Sequence, residues 1–162
     1  MHKELKNKKI YTLSIVLLIF FDQVTKLYFM DLVHPLYGGV EVNAVFNLVH
    51  VWNKGVSFGM FSSFEYSNFL FLGLSMLITL ALIFLLFKED SALYSVSYSL
   101  IIGGAIGNML DRARFGGVFD FIDFHISNYH WPAFNMADSF ICVGAFIFLY
   151  CSLCTKNQEK SL

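Results

Sequence analysis

The sequence carries little charge of either sign. Only 14% of its 162 residues are Asp, Glu, Lys or Arg, and the formal net charge is −1. Without a basic excess there is no reason to expect a nucleic-acid partner. No linker, low-complexity tract or internal repeat divides the chain, so we expect a single domain over residues 1–162.

Cysteine is also scarce, with three residues that all fall in or at the end of one apolar stretch: Cys142, Cys151 and Cys154. The Cys151–Cys154 spacing is better explained by helix packing, or by a helix end near the reducing cytoplasm, than by a redox or zinc site.

Apolar residues are what the chain has in excess. They form 57% of it, against roughly 45–50% in soluble domains, and the mean hydropathy is +0.62. Four apolar stretches, at about 10–29, 69–87, 93–110 and 134–154, approach or reach the length of about 20 residues that spans a bilayer. The sequence therefore predicts an all-α membrane protein with four transmembrane helices. Lysines precede the first stretch as in a secretory signal, but no small-residue cleavage site follows, so we expect a retained span.

Basic residues are unequally divided between the two sides of these spans. Seven lie on one side: Lys3, Lys6, Lys8, Lys9, Lys88, Lys156 and Lys160. Three lie on the other: Lys54, Arg112 and Arg114. The positive-inside rule then places both termini in the cytoplasm and the connections 30–68 and 111–133 outside.

The first outer connection has the composition of strands. Val40–Asn43 alternates, and Val45–Trp52 is rich in β-branched and aromatic residues, which predicts a small extracytoplasmic β-rich segment between helices 1 and 2. Its apolar face could lie on the membrane surface over the site, or the segment could be a small capping sheet with no substrate role.

Polar residues converge on the outer ends of the spans. Asp22 lies twelve residues, or roughly 18 Å, beyond Ile10, while Asp120 lies in the second outer connection and Asp138 at the start of the fourth span. A charge near hydrocarbon costs roughly 2.5–3.5 kcal/mol, so retaining several at one level indicates chemistry. Two carboxylates that share one proton can activate water.

Short motifs raise two other kinds of catalytic site. Gly55-Val56-Ser57-Phe58-Gly59 matches the nucleophile elbow of serine hydrolases, but no α/β sheet is predicted around it. Four residues could be drawn as metal ligands: Asp120, Asp123, His125 and His130. However, the chain has no helical H-E-x-x-H pair, and interfacial histidines commonly anchor headgroups. We therefore expect neither a serine nucleophile nor a metal.

A non-enzymatic alternative is a small transporter or channel subunit in which Asp22, Lys26 and Asp138 form a polar pathway. The clustering of polar groups at one depth favours an enzyme, and an uncharged second span fits poorly with a pore lined by every helix. Asp22 and Lys26, four residues apart, could also form a purely structural pair. Arg112 could reach a lipid phosphate or a peptide carbonyl.

Five motifs occur in an order that resembles the lipoprotein signal peptidase (signal peptidase II) family. They are Asp22-Gln23-Val24-Thr25-Lys26, Trp52-Asn53-Lys54-Gly55-Val56-Ser57-Phe58-Gly59, Gly103-Gly104-Ala105-Ile106-Gly107-Asn108-Met109-Leu110-Asp111-Arg112, Val118-Phe119-Asp120-Phe121-Ile122 and Phe134-Asn135-Met136-Ala137-Asp138. Each motif alone is weak, but five in order across nearly the whole chain are specific.

The resemblance implies a multi-pass aspartyl endopeptidase of the bacterial inner membrane, with its site near the periplasmic surface. Such enzymes remove the signal peptide of prolipoproteins just before a diacylglyceryl-modified cysteine. Those substrates and membrane lipids are thus the expected partners, and the chain is expected to be a monomer without a cofactor.

Carried over by motif, Asp120 and Asp138 form the catalytic dyad. The remaining family positions support the site: Asp22, Lys26, Asn53, Gly55, Asn108, Arg112, Asn135 and Ala137. Asp123 is outside the family pattern.

Overall fold

The computed structural model describes residues 2–35, 39–55 and 66–159. These residues form α1 (His2–Leu32), β1 (Val40–Asn43), β2 (Phe46–Asn53), α2 (Ser67–Lys88), α3 (Ala92–Phe115), β3 (Val118–Ile126), β4 (Tyr129–His130) and α4 (Met136–Glu159). Each helix contains an apolar segment of 19 to 25 residues that is long enough to cross a bilayer. The predicted four-helix membrane fold with a small β-rich segment is therefore confirmed.

The helix ends follow from local sequence. Both prolines, Pro35 and Pro132, lie outside the helices, where a missing N–H costs no helical hydrogen bond. The helix α3 is capped at its C-terminal end by Gly116. The φ of this residue is 73°, which suits glycine, and its N–H donates to the carbonyl of Arg112 at 3.1 Å. The helix therefore continues five residues beyond the predicted end at 110, because the polar residues Asp111 and Arg112 find protein partners in Lys26 and in the Gly55 carbonyl.

The helix α3 is the centre of the bundle and packs against α1, α2 and α4. In its most apolar 18-residue window, 56% of the residues are buried, against 11% in α1 and α2. Its serines therefore meet protein instead of lipid, and the hydroxyl of Ser97 donates to the carbonyl of Gly144 at 2.8 Å. This central position explains why the third span is the most polar.

Close helix contact depends on the glycines of α3, as their small-residue spacing predicts. A Cβ on Gly103 would lie 2.9 Å from the Cβ of Leu18 in α1. A Cβ on Gly104 would collide with the carbonyl oxygen of Ala137 in α4. Gly103 thus allows α1, and Gly104 allows α4, to pack closely against α3 at the same level of the bundle.

The four strands form one antiparallel sheet in the order β1-β2-β3-β4. The sequence predicted strands only in the first outer connection, but the second connection contributes β3 and β4. Apolar contacts join the sheet to the C-terminal end of α1, where the rings of Phe29 and Phe121 stack with centroids 4.5 Å apart. Val33, Leu48 and Phe119 belong to the same buried cluster. The sheet is therefore fixed to one end of the bundle.

The opposite end of the bundle holds the start of α1 and the end of α2. The Lys8 ammonium donates to the carbonyl of Leu86 at 2.9 Å and also to that of Glu89. A cation placed on the last carbonyls of a helix is favoured by the helix dipole. Because Lys8 precedes the first span and Glu89 follows the second, the two chain segments lie on the same side.

Candidate active site

Asp120 and Asp138 are brought together by one residue, Asn135. Asn135 donates through Nδ2 to Oδ1 of Asp120 at 2.6 Å, and its backbone N–H donates to Oδ2 of Asp138 at 3.2 Å. Two further amides complete the set, with Asn53 donating to Asp120 at 3.1 Å and Asn108 donating to Asp138 at 2.8 Å. Asp120 is buried and Asp138 is partly exposed. One carboxylate is thus enclosed while its neighbour remains accessible.

Local structure dictates where each carboxylate sits. Asp120 lies in β3 opposite Val51 of β2. Asp138 lies in the first turn of α4, and its N–H donates to Oδ1 of Asn135 at 3.0 Å. Together with the reverse bond from the Asn135 N–H, this is a reciprocal cap of the kind found at helix N-termini. Asn135 therefore starts α4 and reaches Asp120 with the same side chain.

The proton affinity of Asp120 is strongly perturbed. Burial, and after it the nearby negative charge of Asp138, raise the pKa of Asp120 from 3.8 to about 7. The hydrogen bonds from Asn53 and Asn135 act in the opposite direction, because they stabilise the ionised form. A carboxyl group with this pKa can hold or release a proton near neutral pH.

A buried ionic cluster lies beside the two aspartates. The ammonium of Lys26 is 3.0 Å from Asp22, 2.9 Å from Asp111 and 2.9 Å from Oδ1 of Asn108. The Lys26 side chain is 2% exposed, so its charge is compensated entirely by protein groups. The pairing of Asp22 with Lys26 anticipated from their spacing is therefore present.

The two carboxylates of this cluster also hold the backbone next to each candidate catalytic residue. Asp22 accepts the N–H of Ala137 at 2.9 Å, and Asp111 accepts the N–H of Phe119 at 3.3 Å. These residues directly precede Asp138 and Asp120 in the chain. The cluster thus connects α1 and α3 to the two elements that carry the aspartates.

Arg112 and Gly55 close another side of the site. The Arg112 guanidinium donates through Nη2 to the carbonyl of Gly55 at 3.0 Å, and the N–H of Gly55 donates to Oδ1 of Asn53 at 3.0 Å. Of the two targets considered for Arg112, the structure shows a peptide carbonyl, which belongs to this chain. All ten predicted site residues therefore join one contact network at the sheet end of the bundle.

Asp123 is directed away from this network. It pairs with Nδ1 of His130 at 2.8 Å and accepts from Asn47 at 3.1 Å. Alternate residues of a strand point to opposite faces, so Asp120 and Asp123 lie on different sides of β3. Within the described ranges, no group of three or more His, Cys, Asp or Glu side chains is arranged to hold a metal. Ser57 lies outside the described residues.

Two residues of the network were not predicted as site residues. Asp111 binds Lys26, and Gln23 donates through Nε2 to Asp111 at 2.9 Å. The signal for Asp111 was its position three residues after Asn108, which puts both on one side of α3. Gln23 carried no comparable signal, because its role depends on how α1 packs against α3.

The fold and the site together define a multi-pass membrane protein with a buried, carboxylate-rich centre at one end of a four-helix bundle. Two solved structures of membrane enzymes share this fold. Two chains, each described as a bacterial membrane enzyme structure obtained by the in meso method, superpose with TM-scores of 0.80 and 0.77 at 30% identity. The first match covers 93% of this chain and 92% of the solved one, and the second covers 90% and 93%.

Sequence comparison identifies the family. Residues 14–154 match the family described as Signal peptidase (SPase) II. The lipoprotein signal peptidase of Anaplasma phagocytophilum is 45% identical over 85% of this chain and 87% of its own length. That of Thermodesulfovibrio yellowstonii is 43% identical over 92% of this chain and 95% of its own length. The chain belongs to the signal peptidase II family and is a protease. The transporter alternative is therefore wrong.

Proposed function

We propose that this protein is an aspartyl endopeptidase that removes the signal peptide from prolipoproteins, N-terminal to a diacylglyceryl-modified cysteine. The observation that carries the proposal is the pair Asp120 and Asp138, both bonded to Asn135. The names of the similar proteins support the substrate class, since they are lipoprotein signal peptidases.

The chemistry follows from two adjacent carboxyl groups that share one proton. With the pKa of Asp120 raised to about 7, the pair keeps a proton at neutral pH. The ionised carboxylate takes a proton from a water molecule whose oxygen attacks the scissile carbonyl carbon. The protonated carboxyl group donates to the carbonyl oxygen, giving a tetrahedral intermediate. Collapse of this intermediate breaks the C–N bond: the leaving amine takes up a proton from one carboxyl group, and a hydroxyl of the intermediate returns a proton to the other as the product carboxyl group forms, so the pair again holds one proton.

The membrane setting accounts for the lipidated substrate. A site at the outer end of the bundle allows acyl chains to remain in the lipid while the peptide bond reaches water. The excess of basic residues at the opposite end supports an orientation with cytoplasmic termini and a periplasmic site in the inner membrane. The protein acts there as a monomer whose partners are prolipoproteins and membrane lipids.

The test is cleavage of a diacylglyceryl-modified prolipoprotein, beside the same peptide without lipid, by the purified protein and four variants. Asp120→Asn and Asp138→Asn each remove the ability to hold the shared proton, so each is expected to lower turnover by orders of magnitude. The double variant should be little worse than either single one, because the pair acts as a unit.

Asp123→Asn is the matched control, because it alters a buried carboxylate three residues from Asp120 on the other face of β3. It should retain most of the activity. Near-normal turnover by either dyad variant, or equal cleavage of lipidated and unlipidated peptide, would contradict the proposal.

A further inference from the structure

The hairpin formed by β3 and β4 has two chemically different faces. Its pairs are His125 with His130 and Ile126 with Tyr129, and the Trp131 N–H donates to the Phe124 carbonyl at 2.8 Å. Directly opposite residues share a face and alternate along the strand. One face therefore carries four apolar or aromatic side chains: Phe124, Ile126, Tyr129 and Trp131. The other carries the two imidazole rings, stacked 4.9 Å apart.

The apolar face is largely exposed, although the ring of Phe124 also packs against those of Phe46 and Phe134. Ile126 is 77% exposed, Tyr129 69%, Trp131 58% and Phe124 47%. Residues 124–131 contain no Asp, Glu, Lys or Arg. A contiguous apolar patch of this kind marks an interaction surface. Tyr and Trp in particular favour the boundary between lipid and water.

The position of Trp131 shows what covers this face. Trp131 lines a cavity of about 480 Å³ together with Cys142 and Val143 of α4. Val143 is seven residues into the helix, roughly 10 Å below its start at 1.5 Å per residue, and its side chain is exposed on the outside of the bundle. The segment after β4 thus lies alongside the membrane-spanning surface of α4. The apolar face of the hairpin is continuous with a surface that lipid already covers.

We propose that the hairpin Phe124–Trp131 inserts its apolar face into the headgroup and upper acyl region of the leaflet on the sheet side, and that it anchors β3 at a fixed depth. The partner is the lipid bilayer itself. The strand β4 has one unpaired edge, whose backbone groups need water, so insertion stops at the interface and does not reach the hydrocarbon centre.

The consequence for the site rests on the proposed function. Asp120 shares the face of β3 that carries Phe124 and Ile126, because these positions differ by even numbers of residues. Anchoring the hairpin therefore fixes how far Asp120 lies from the lipid surface. That distance decides which peptide bond of a membrane-held substrate reaches the site.

Tryptophan fluorescence tests the insertion directly, since the chain has two tryptophans. The Trp52→Phe variant leaves Trp131 as the sole reporter, and it is placed in phosphatidylcholine nanodiscs brominated near the ester end or near the methyl end of the acyl chains. Stronger quenching by the bromines near the ester end is expected. If Trp52→Phe fails to fold, the difference between wild type and Trp131→Phe gives the same signal.

Ile126→Glu places a charge on the inserted face at the most exposed of its four apolar side chains, and it should abolish most of this quenching. Val42→Glu is the matched control: it adds the same charge at an exposed valine of β1, at the far edge of the sheet, and quenching should persist. In cleavage assays on membrane-held prolipoprotein, Ile126→Glu should shift the cut or slow it, while Val42→Glu should not.

Absence of quenching by either lipid, or quenching unchanged in Ile126→Glu, would overturn the anchor whether or not the protein cleaves prolipoproteins. Quenching that behaves as expected in a protein that cleaves no prolipoprotein would uphold the anchor and refute the proposed function alone. Normal cleavage by an Ile126→Glu variant that has lost its quenching would overturn the link between the anchor and the site.

Discussion

At the scale of single side chains, Asn135 combines two tasks that are usually separate. Its Oδ1 caps α4 by accepting the Asp138 N–H, and its Nδ2 donates to Asp120 at 2.6 Å. An isolated helix cap contributes about 1 kcal/mol, but here the same group also fixes the spacing of two carboxylates. The stability of α4 and the geometry of the proposed dyad therefore both depend on Asn135.

Asn53→Ala is expected to move the alkaline limb of the activity profile to higher pH. The proposed active form holds one proton, which is lost as the pH passes the Asp120 pKa of about 7. The Asn53 amide stabilises the ionised carboxylate, so its removal raises this pKa. The measurement is kcat against pH for the wild type and the variant. Asn43→Ala, which removes another turn-forming Asn in the sheet, should leave the limb in place, and a downward shift in Asn53→Ala would refute the explanation.

Asp120→Asn should be more stable than the wild type at high pH, although we expect it to be inactive. The folded-state pKa of about 7 exceeds the value of 3.8 for the unfolded chain. As the pH rises from about 4 to 7, the unfolded chain loses this proton and the folded chain retains it, so wild-type stability falls. The cost is at most about 4 kcal/mol above pH 7, taking about 1.4 kcal/mol per pH unit. Thermal unfolding of both proteins at acid and alkaline pH measures it, and a difference that does not grow with pH would count against it.

The sequence predicted which residues lie together better than it predicted the hydrogen bonds between them. The motifs named both aspartates and eight supporting residues, and the structure places all ten in one network. It could not predict that Asp22 and Asp111 bind the backbone N–H groups of Ala137 and Phe119. Such bonds depend on how α1 and α3 pack against α4 and β3, and this packing cannot be predicted from the local sequence.

At the scale of elements, the contact between α3 and α4 leaves no room for a side chain at Gly104. Gly104→Ala is expected to destabilise the protein by about 1–3 kcal/mol, the usual cost of overpacking. It should also lower turnover, because the colliding group is the Ala137 carbonyl next to Asp138. Thermal unfolding and prolipoprotein cleavage measure the two effects.

Gly73→Ala is the control for this substitution, since a Cβ at Gly73 in α2 meets nothing within 4 Å. It should be neutral or more stable by up to about 1 kcal/mol, as expected for alanine in a helix. Equal effects of the two substitutions would show that helix propensity, and not packing, decides the result at Gly104.

Strand β3 shows why elements were predicted unevenly. Its buried part, Val118–Asp123, has few polar positions to alternate with apolar ones, because both faces are covered. Its first residues follow α3 after only two glycines. A membrane-spanning helix can be recognised in a sequence by its length and hydropathy. A short strand that is buried on both sides has no alternation of polar and apolar residues by which to recognise it. The sequence therefore predicted the four helices, and missed the strand that carries Asp120.

At the scale of the whole molecule, the orientation is testable by reporter fusions. The seven-to-three division of basic residues predicts that reporters joined after Lys88 and after Lys160 both remain in the cytoplasm. A reporter inserted in the turn between β3 and β4 should respond as periplasmic. A periplasmic signal from either of the first two fusions would invert the placement of the site.

The central position of α3 has a consequence for biogenesis. Its best window has a mean hydropathy of 1.3, against 2.8 for α2, so α3 partitions less readily from the translocon into lipid. The groups that satisfy it, such as the Gly144 carbonyl bonded by Ser97 and the Asp138 carboxylate bonded by Asn108, lie in α4. Since α4 is synthesised last, we expect α3 to be retained at the translocon until α4 emerges, and the two spans to be released into the bilayer as a pair.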